Sequence, residues 1–470
     1  MSNPGDLNDT RLQSCAQLVS VFADAVKPRA HWRIGTEHEK FGFVLPDDAD
    51  SGRTPFAPPP YAPRGIGDLL GAFDAQGDGE RWSGIVDQGH LIGLKGIGPR
   101  KGGSISLEPA GQFELSGAPL ASLHDTRAEM AQHFDDLRSP AAALGLGFAP
   151  LGFQPLSTQA AMPIMPKSRY AIMRAYMPKV GTRGLDMMTR TCTVQVNLDY
   201  GSEADMRRKM RVSLALQPLA TALFANSPFY EGAPNGLMSN RAQVWTDTDN
   251  QRSGMPRFFF DEDFGFERYI DWLIDVPMYF VMRDGRMIDV AGRSFRDWLA
   301  GRPQPGLEGL TPTIGDFEDH MTTVFTDVRL KQFLEMRGAD AGSPEMMLAQ
   351  SALWVGLLYD DAALTAAEAL VRESAPEDYI ALRAAVPAQG MGAAWQGGTL
   401  RALAGRVLAI ARDGLRARAV RSDTGADESA YLDPLDAIAA GGPTQAEHWL
   451  SRFSTAWDGD VRPIFTEAAV

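Results

Sequence analysis

The chain has 470 residues, of which 44% are hydrophobic and 22% charged, a composition typical of folded globular proteins and not of disordered ones. Its formal net charge of −14 disfavours nucleic acid as a partner, because a strongly acidic surface repels phosphate backbones at long range. Only two cysteines occur, which excludes a disulfide framework and a cysteine-based zinc site, and we expect the protein in the reducing cytoplasm.

No membrane-targeting or membrane-spanning segment is expected. Residues 1–14 lack a basic stretch followed by an apolar run, so they do not predict a signal peptide. Residues 139–166 carry no charge and are long enough to span a bilayer, but prolines and glycines interrupt them throughout. We therefore predict a soluble protein.

The first part of the chain mixes helix and strand signals. Apolar spacing predicts a helix over residues 8–27, and a strand follows over 33–44. A Pro- and Gly-rich stretch over 46–67 predicts a loop, and residues 121–144 predict a surface helix. A further helix is predicted over 206–224.

The second part begins with a hairpin and ends in helices. Residues 276–283 and 286–290 flank Asp284-Gly285, a pair that favours a two-residue hairpin turn. After about residue 345, alanine and leucine dominate, and we predict amphipathic helices over 364–372 and 400–419.

These patterns predict an α+β protein. An α+β core is expected over residues 1–345, with a helical C-terminal region over 346–470 packed against it. No low-complexity linker separates the two regions, so one single domain is an equal alternative.

Several segments alternate polar and apolar residues with period two, which places their polar side chains on one face of a strand. The polar faces carry Glu37 and Glu39; Ser104, Ser106 and Glu108; Gln112, Glu114 and Ser116; Thr191, Thr193, Gln195, Asn197 and Asp199; and Arg329, Lys331, Glu335 and Arg337. Any half-buried antiparallel strand shows such alternation. Here, however, several short carboxylates would repel one another on a shared concave face unless cations lay between them. Oxygen ligands of this kind suit Mg²⁺ or Mn²⁺, which also bind phosphates.

Common nucleotide and hydrolase motifs are missing from the sequence. The segment GIGPRKGGS at 96–104 does not fit a P-loop, no GxGxxG follows a strand, and no GxSxG or HExxH occurs. His38 lies on the opposite strand face from Glu37 and Glu39, which favours a hydrogen-bonded core histidine. The residues alone therefore indicate a metal-assisted, phosphate-handling enzyme without a P-loop, and they do not identify its substrate.

Six segments in order resemble the glutamate–cysteine ligases of plants and proteobacteria: GTEHEKFGF, GSISLEPAGQFELSGAPL, MPKSRYAIMRAYM, GLDMMTRTCTVQVNLDY, NGLMSNRAQVWTDTD and FLEMRGAD. The likeness runs from about residue 30 to at least 430. It implies a fold similar to glutamine synthetase, in which a curved, mainly antiparallel sheet forms a funnel covered by helices. It also implies ATP-dependent ligation of the L-glutamate γ-carboxylate to the L-cysteine amine through γ-glutamyl phosphate, the first step of glutathione biosynthesis.

Two alternatives to this activity stay open. The chain can be a related carboxylate–amine ligase with another amine acceptor, or a catalytically inactive relative that acts as a binding or regulatory module. The expected ligands are ATP, Mg²⁺ or Mn²⁺, L-glutamate and L-cysteine, and the expected assembly is a monomer or homodimer.

The resemblance also implies site residues. The metal-binding residues are Glu37, Glu39, Glu108, Glu114 and Glu335, together with Gln195, which stands where related ligases have a metal-binding histidine. The catalytic residues are Glu37, Glu335 and the phosphate-binding Arg337, and the residues at the nucleotide are Lys101, Gln195 and Arg337. The glutamate α-carboxylate is assigned to Arg241, with Arg190 as a second candidate, and the acceptor pocket to Tyr170 and Trp245.

The cysteines separate this chain from its plant relatives. Plant members carry cysteine pairs that form regulatory disulfides, and the matching positions here hold Arg127, Val290, Leu348 and a residue near 304–305. Neither Cys15 nor Cys192 fits those positions. We therefore expect no redox switch, with Cys192 buried and inert on the apolar face of its strand.

Overall fold

The computed structural model describes residues 8–75 and 79–470 of the chain. Part of the segment that argues against a signal peptide, residues 1–7, lies outside these ranges. Within them, no helix is both long and apolar enough to cross a bilayer. The uncharged segment 139–166 instead contains the end of a helix, one short strand and loops.

Strands and helices alternate irregularly along the chain. The strands are β1 (Ile34–Val44), β2 (Trp82–Asp87), β3 (His90–Gly96), β4 (Ser104–Leu107), β5 (Phe113–Ser116), β6 (Leu146–Ala149), β7 (Thr193–Leu198), β8 (Phe229–Tyr230), β9 (Ala233–Pro234), β10 (Ser253–Gly254), β11 (Phe280–Arg283), β12 (Arg286–Asp289), β13 (Phe325–Thr326), β14 (Val328–Leu330), β15 (Leu334–Asp340), β16 (Ala394–Trp395) and β17 (Gly398–Thr399). The helices are α1 (Ala16–Ala23), α2 (Ile66–Asp74), α3 (Leu123–Ala143), α4 (Ser168–Tyr176), α5 (Gly184–Arg190), α6 (Glu203–Leu223), α7 (Asn240–Val244), α8 (Phe266–Leu273), α9 (Phe295–Leu299), α10 (Ile314–Met321), α11 (Pro344–Leu358), α12 (Asp361–Val371), α13 (Pro376–Gln389), α14 (Leu400–Arg418), α15 (Asp433–Ala439), α16 (Gln445–Thr455) and α17 (Pro463–Glu467).

One large sheet organises the molecule. Its strands follow one another in the order β14-β15-β7-β1-β5-β4-β3-β2, every neighbouring pair is antiparallel, and β6 pairs with the second half of β1. Glu37 lies opposite Ser116 on one side and Gln195 on the other, while Glu39 lies opposite Glu114. The polar sides of β1, β5 and β7 therefore share one face of the sheet, which we call the pocket face.

Helices cover the other face. α3 and α11 pack against β1, α11 also packs against β7, and α6 packs against β15. The sequence places Val194 and Val196 on this apolar side of β7, where they share one hydrophobic core with Leu353 and Leu408 of the C-terminal helices. The predicted α+β class, with a mainly antiparallel sheet covered by helices, is confirmed. The division into two regions at residue 345 stays a prediction. The shared core contains residues from both regions, as a single domain would also have.

The predicted helix over residues 8–27 is only partly correct. α1 covers Ala16–Ala23, and the residues before it form an extended segment along the start of α10. The carbonyls of Thr10 and Asn8 accept hydrogen bonds of 2.9 Å from the backbone N–H groups of Ile314 and Gly315. The first N–H groups of α10 have no partner within that helix. Residues 8–15 therefore stay extended and supply those partners, and they do not add a turn to α1.

The segment 328–340 also differs from its predicted form. We expected one alternating strand, whereas the structure has a hairpin of β14 and β15 in which Arg329 lies opposite Glu335. The two side chains still share the pocket face, because directly opposed residues of paired strands point to the same side.

The predicted hairpin around Asp284-Gly285 is confirmed as β11 and β12, with slightly shorter strands. Both turn residues have positive φ, 49° at Asp284 and 70° at Gly285, as the turn type requires. The predicted helices over 121–144 and 206–224 correspond to α3 and α6. Both helices begin after a serine, Ser122 and Ser202, whose side chain accepts a backbone N–H of the first turn.

Candidate active site

A cleft opens on the pocket face of the sheet, with about 790 Å³ of space including its mouth. It brings together most of the predicted site residues. Those that line it are Glu37, Glu39, Glu108, Glu114, Tyr170, Gln195, Arg241, Trp245 and Arg337.

The carboxylates of β1 and β5 are buried and held by neighbouring donors. Glu39 Oε2 accepts the backbone N–H of Thr193 at 2.8 Å, and Glu114 accepts the hydroxyls of Ser106 and Ser116 at 2.7 and 3.0 Å. Burial and the nearby charges of Glu114 and Glu108 raise the pKa of Glu39 well above its ordinary value. Arg241 opposes this rise, and the carboxyl groups of Glu39, Glu108 and Glu114 are close enough to repel one another when they are charged.

The donor set around Glu39 and Glu114 fits a hard divalent cation. Carboxylate oxygens are what Mg²⁺ and Mn²⁺ prefer, and a cation between Glu39 and Glu114 would relieve their repulsion. Among the residues that the structure describes, however, no three His, Cys, Asp or Glu side chains are grouped as the ligands of one ion. The carboxylate oxygens therefore suit a metal ion, although the side chains do not converge on one coordination site.

Glu335 is arranged differently from the prediction. Its fully buried carboxylate is not a lining group and lies 2.7 Å from Arg329, 2.7 Å from Arg337 and 3.3 Å from Lys331. Burial alone would raise the pKa of Glu335, but the three cations lower it well below its ordinary range. The geometry favours an anchor for the two arginines, and its predicted role as a metal ligand stays a prediction.

Both of these arginines reach the cleft. Arg337 donates to the side-chain oxygen of Gln195, so these two predicted nucleotide residues are in direct contact. Arg329 donates to the carbonyls of Thr322 and Val324 at 2.9 and 3.0 Å. β14 and β15 therefore contribute two arginines to the lining of the cleft, both paired with Glu335 behind them.

Arg241 and Trp245 lie together on α7 and the turn after it. Arg241 is 3% exposed, and its Nη2 donates to the carbonyl of Arg337 at 2.9 Å. The Nε of Arg241 and the Nε1 of Trp245 are buried without a hydrogen-bond partner. Buried donors of this kind are normally satisfied, so a ligand with acceptor oxygens fits here.

Arg190 is not part of the cleft. It is fully buried, paired with Asp186 at 2.7 Å and Glu231 at 2.9 Å, and it donates to Tyr230 and to the Ser157 carbonyl. A guanidinium with these partners holds the surrounding segments together and has little capacity left for a substrate carboxylate. This placement corrects the prediction for Arg190.

Lys101 and Tyr170 differ in their position relative to the cleft. Lys101 is exposed in the turn between β3 and β4 and does not line the cleft, and its predicted role at the nucleotide stays a prediction. Tyr170 does line it, but its hydroxyl donates to the Leu107 carbonyl at 2.6 Å, so its ring is the part that faces a ligand.

The prediction missed several lining residues. They are Pro109, Gln112, Arg169, Met173, Met187, Met188, Thr191, Thr193, Thr322, Phe325 and Arg329. Alternation had placed Gln112, Thr191, Thr193 and Arg329 on the correct faces, and the charge of Arg329 was the signal that could have identified it. Arg169 and the methionines lie on α4 and α5, where local patterns do not indicate which side faces a cleft.

Cys192 is placed as expected. Both cysteines are free, Cys192 is buried and Cys15 is exposed. Burial raises the pKa of the Cys192 thiol well above its ordinary value, which keeps it protonated and unreactive.

Comparison with known proteins agrees with this architecture. A family model described as glutamate–cysteine ligase family 2 matches residues 33–467. The chain is 48% identical over 450 residues to glutamate–cysteine ligase B, chloroplastic, of Oryza sativa subsp. japonica, which covers 96% of this chain and 86% of that protein. It is equally similar to the chloroplastic glutamate–cysteine ligase of Arabidopsis thaliana, with 48% identity over 96% of this chain and 82% of that protein.

A solved structure shares the fold. The crystal structure of a glutamate–cysteine ligase from Francisella tularensis in complex with AMP aligns with a TM-score of 0.54, covering 98% of this chain and 90% of that one. Its sequence identity of 11% limits the likeness to the fold.

The curated relatives correct the predicted cytoplasmic location, because they are named as chloroplastic enzymes. The prediction rested on the low cysteine count. That count indicates a reducing compartment and does not distinguish one such compartment from another.

Proposed function

Since the chain belongs to glutamate–cysteine ligase family 2, we propose that it is an ATP-dependent ligase that joins the γ-carboxylate of L-glutamate to the amine of L-cysteine. The observation that carries this proposal is a cleft lined both by buried carboxylates of β1 and β5 and by the arginines Arg329 and Arg337 of β14 and β15. An inactive relative is disfavoured, because Glu37, Glu39, Glu108 and Glu114 all remain in the cleft.

The proposed chemistry explains this distribution of charge. A carboxylate is a poor acyl donor, so a γ-carboxylate oxygen first attacks the terminal phosphorus of ATP, giving γ-glutamyl phosphate and ADP. The cysteine amine then attacks the acyl carbon, the C–O bond to phosphate breaks, and the amine loses a proton. Arg337 and Arg329 are suited to stabilise the charge on the transferred phosphoryl group, because they are fixed donors in a buried site.

Glu39, Glu108 and Glu114, with Glu37 and Gln195 beside them, are the residues that would hold Mg²⁺ or Mn²⁺. When bound, such an ion neutralises phosphate oxygens of ATP and favours their alignment for transfer. The residues themselves contribute fixed oxygen donors, because Thr193, Ser106 and Ser116 hold two of the carboxylates in place.

Glutamate recognition is assigned to Arg241. A guanidinium binds a carboxylate through two parallel hydrogen bonds, and the unpartnered Nε of Arg241 leaves one edge of its fork available. Trp245, with its own unpartnered Nε1, and the ring of Tyr170 would border the acceptor. Met187 and Met188 add an apolar wall suited to a small aliphatic or thiol side chain.

The test is a coupled assay of ADP release with L-glutamate, ATP and a panel of amines. We expect release with L-cysteine and with 2-aminobutyrate, which has the shape of cysteine without the thiol, and product mass confirming the γ-linked amide. Preference for a different amine would favour the alternative carboxylate–amine ligase. An absence of turnover with every amine, by protein that binds ATP, would favour the inactive relative.

A further inference from the structure

A β-bulge interrupts β15 at Arg337 and Gly338. Met336 lies opposite Val196 of β7, and Ala339 lies opposite Val194, so β15 has one residue more than its partner between these pairs. A bulge of this kind reverses the alternation that follows it. Asp340 consequently lies opposite Thr193, and its side chain is on the same side of the sheet as Glu335, five residues earlier.

The bulge also turns backbone groups toward neighbouring elements. The N–H of Gly338 donates to Gln217 of α6 at 2.8 Å, and its carbonyl accepts the Thr221 hydroxyl at 2.9 Å. The carbonyl of Arg337 accepts Nη2 of Arg241 at 2.9 Å. The guanidinium of Arg241 is therefore held directly by the bulge.

Asp340 is connected to the backbone of Arg241 through hydrogen-bonded neighbours. Its carboxylate is 1% exposed and accepts the hydroxyl of Ser227 at 2.6 Å, the hydroxyl of Ser239 at 2.8 Å and the N–H of Asn226 at 2.8 Å. Burial raises the pKa of Asp340 above its ordinary value, and the nearby Arg241 and these donors oppose that rise.

Ser227 and Ser239 connect Asp340 to the backbone of α7. Because both hydroxyls donate to Asp340, their lone pairs are free to accept backbone N–H groups. Ser227 accepts the N–H of Arg241 at 3.2 Å, and Ser239, the N-cap of α7, accepts the N–H of Ala242 at 3.0 Å. Asp340 thus fixes the first turn of the short helix that carries Arg241.

We infer that Asp340 is a positioning residue for glutamate recognition, acting through Ser227 and Ser239 on the backbone of Arg241. The inference rests on the proposed role of Arg241. A helix of only five residues has little stability of its own, so its orientation depends on such external hydrogen bonds. Loss of Asp340 would let α7 shift while the carboxylates and the phosphate-side arginines kept their places.

The experiment measures initial rates with glutamate and ATP varied separately. In Asp340→Asn, an amide NH₂ group replaces one acceptor oxygen, so one serine loses its partner. We expect the KM for glutamate to rise about tenfold, with kcat and the KM for ATP within about twofold of wild type. Asp199→Asn is the matched control, because Asp199 is also buried, at 4% exposed, and accepts hydrogen bonds from Lys27 and the Arg33 N–H away from the cleft. It should leave the KM for glutamate unchanged.

A double-mutant cycle separates positioning from general loosening of the fold. Ser227→Ala and Ser239→Ala should each raise the KM for glutamate. In the Asp340→Asn background, the substitution of the serine that has already lost its partner should add little, because both changes remove the same contact. If Asp340→Asn does not fold, the two serine variants decide the question alone.

Failure of the inference is distinguishable from failure of the proposed function. An increase in the KM for glutamate in Arg241→Lys, with no change in the Asp340 and serine variants, overturns the positioning role only. An unchanged KM in Arg241→Lys overturns the assignment of Arg241 and the inference with it.

Discussion

Glu39 and Glu114 lie directly opposite each other across the β1–β5 pair, and both side chains are buried on the pocket face. Like charges in this position destabilise a sheet, so a bound divalent cation should stabilise the fold as well as support catalysis. We predict that Mg²⁺ or Mn²⁺ raises the Tm of the wild type and that exhaustive chelation abolishes ADP release.

The matched variants for this prediction are Glu114→Gln and Glu129→Gln. Glu114→Gln removes the repulsion, so most of the Mg²⁺-dependent rise in Tm should disappear. Glu129 is a half-buried glutamate on α3 outside the cleft, and its variant should respond to Mg²⁺ as the wild type does. Full turnover in the presence of a strong chelator would contradict the metal requirement.

Glu37 and Glu335 should respond differently to the same substitution. Glu335→Gln leaves Arg329, Lys331 and Arg337 without their buried counter-charge, so we expect the free energy of unfolding to fall by about 3–5 kcal/mol. Glu37→Gln keeps an acceptor for Asn197 and should lower kcat by roughly two orders of magnitude with little change in stability. Denaturant unfolding and steady-state rates check both. A Glu335→Gln variant of wild-type stability would refute the anchoring role.

Arg241→Lys should raise the KM for glutamate. An ammonium cannot reproduce the planar fork of a guanidinium against a carboxylate, and loss of a charge-assisted hydrogen bond costs about 1.5–3 kcal/mol, roughly ten- to a hundredfold in affinity. The measurement is a glutamate titration at saturating ATP. A changed KM for ATP with an unchanged KM for glutamate would instead place Arg241 at the nucleotide.

His320 predicts a pH dependence of stability. Burial and the nearby Arg252 lower the pKa of His320 from 6.5 to about 4, although its contact with the Leu273 carbonyl opposes this. Between these values the unfolded chain binds a proton that the folded chain does not, so stability falls as the pH drops from 6.5 toward 4. The loss from this group reaches about 3 kcal/mol at most.

Denaturant unfolding of His320→Gln at several pH values tests whether His320 causes this loss of stability in acid. Glutamine can still donate to Leu273 and does not titrate, so its free energy of unfolding should decline less steeply with acid than that of the wild type. His448→Gln, at an exposed position, should follow the wild type. Equal slopes for wild type and His320→Gln would show that His320 titrates normally.

Activity should not respond to thiol redox state. Cys15 is exposed, Cys192 is buried, and both are free, so no disulfide links them within the chain. The check is an assay after oxidation and desalting, with 2-aminobutyrate as an acceptor that has no thiol. A several-fold gain on reduction that Cys15→Ser or Cys192→Ser abolishes would show that a switch exists.

The faces of the sheet could be predicted because one buried face determines the direction of every side chain on a strand. Alternation placed Glu37, Glu39, Glu114 and Gln195 on the polar faces of their strands, and the register of β1 with β5 and β7 brings these faces together. The turn at 331–333 was missed because Lys-Gln-Phe contains none of the residues that usually mark a turn.

Other parts of the site depend on contacts that are distant in sequence. The sequence of Arg190 and its neighbours does not show which groups its guanidinium contacts. In the fold, Glu231 and Tyr230, about 40 residues later, accept its hydrogen bonds. The bulge in β15 was equally hidden, because its extra residue is defined by the pairing with β7 and not by the sequence of β15 itself. Strict alternation would have placed Asp340 on the wrong face.

The pairing of residues 8–12 with the start of α10 has a practical consequence. α10 ends one residue before Thr322, which lines the cleft and accepts from Arg329. A protease that cut after Gln13 would remove the carbonyls that cap Ile314 and Gly315, yet the trimmed protein would be hard to tell from the intact chain on a gel. Preparations of this enzyme should therefore be compared by intact mass, because a uniform band can hide a mixture of molecules with differently supported cleft walls.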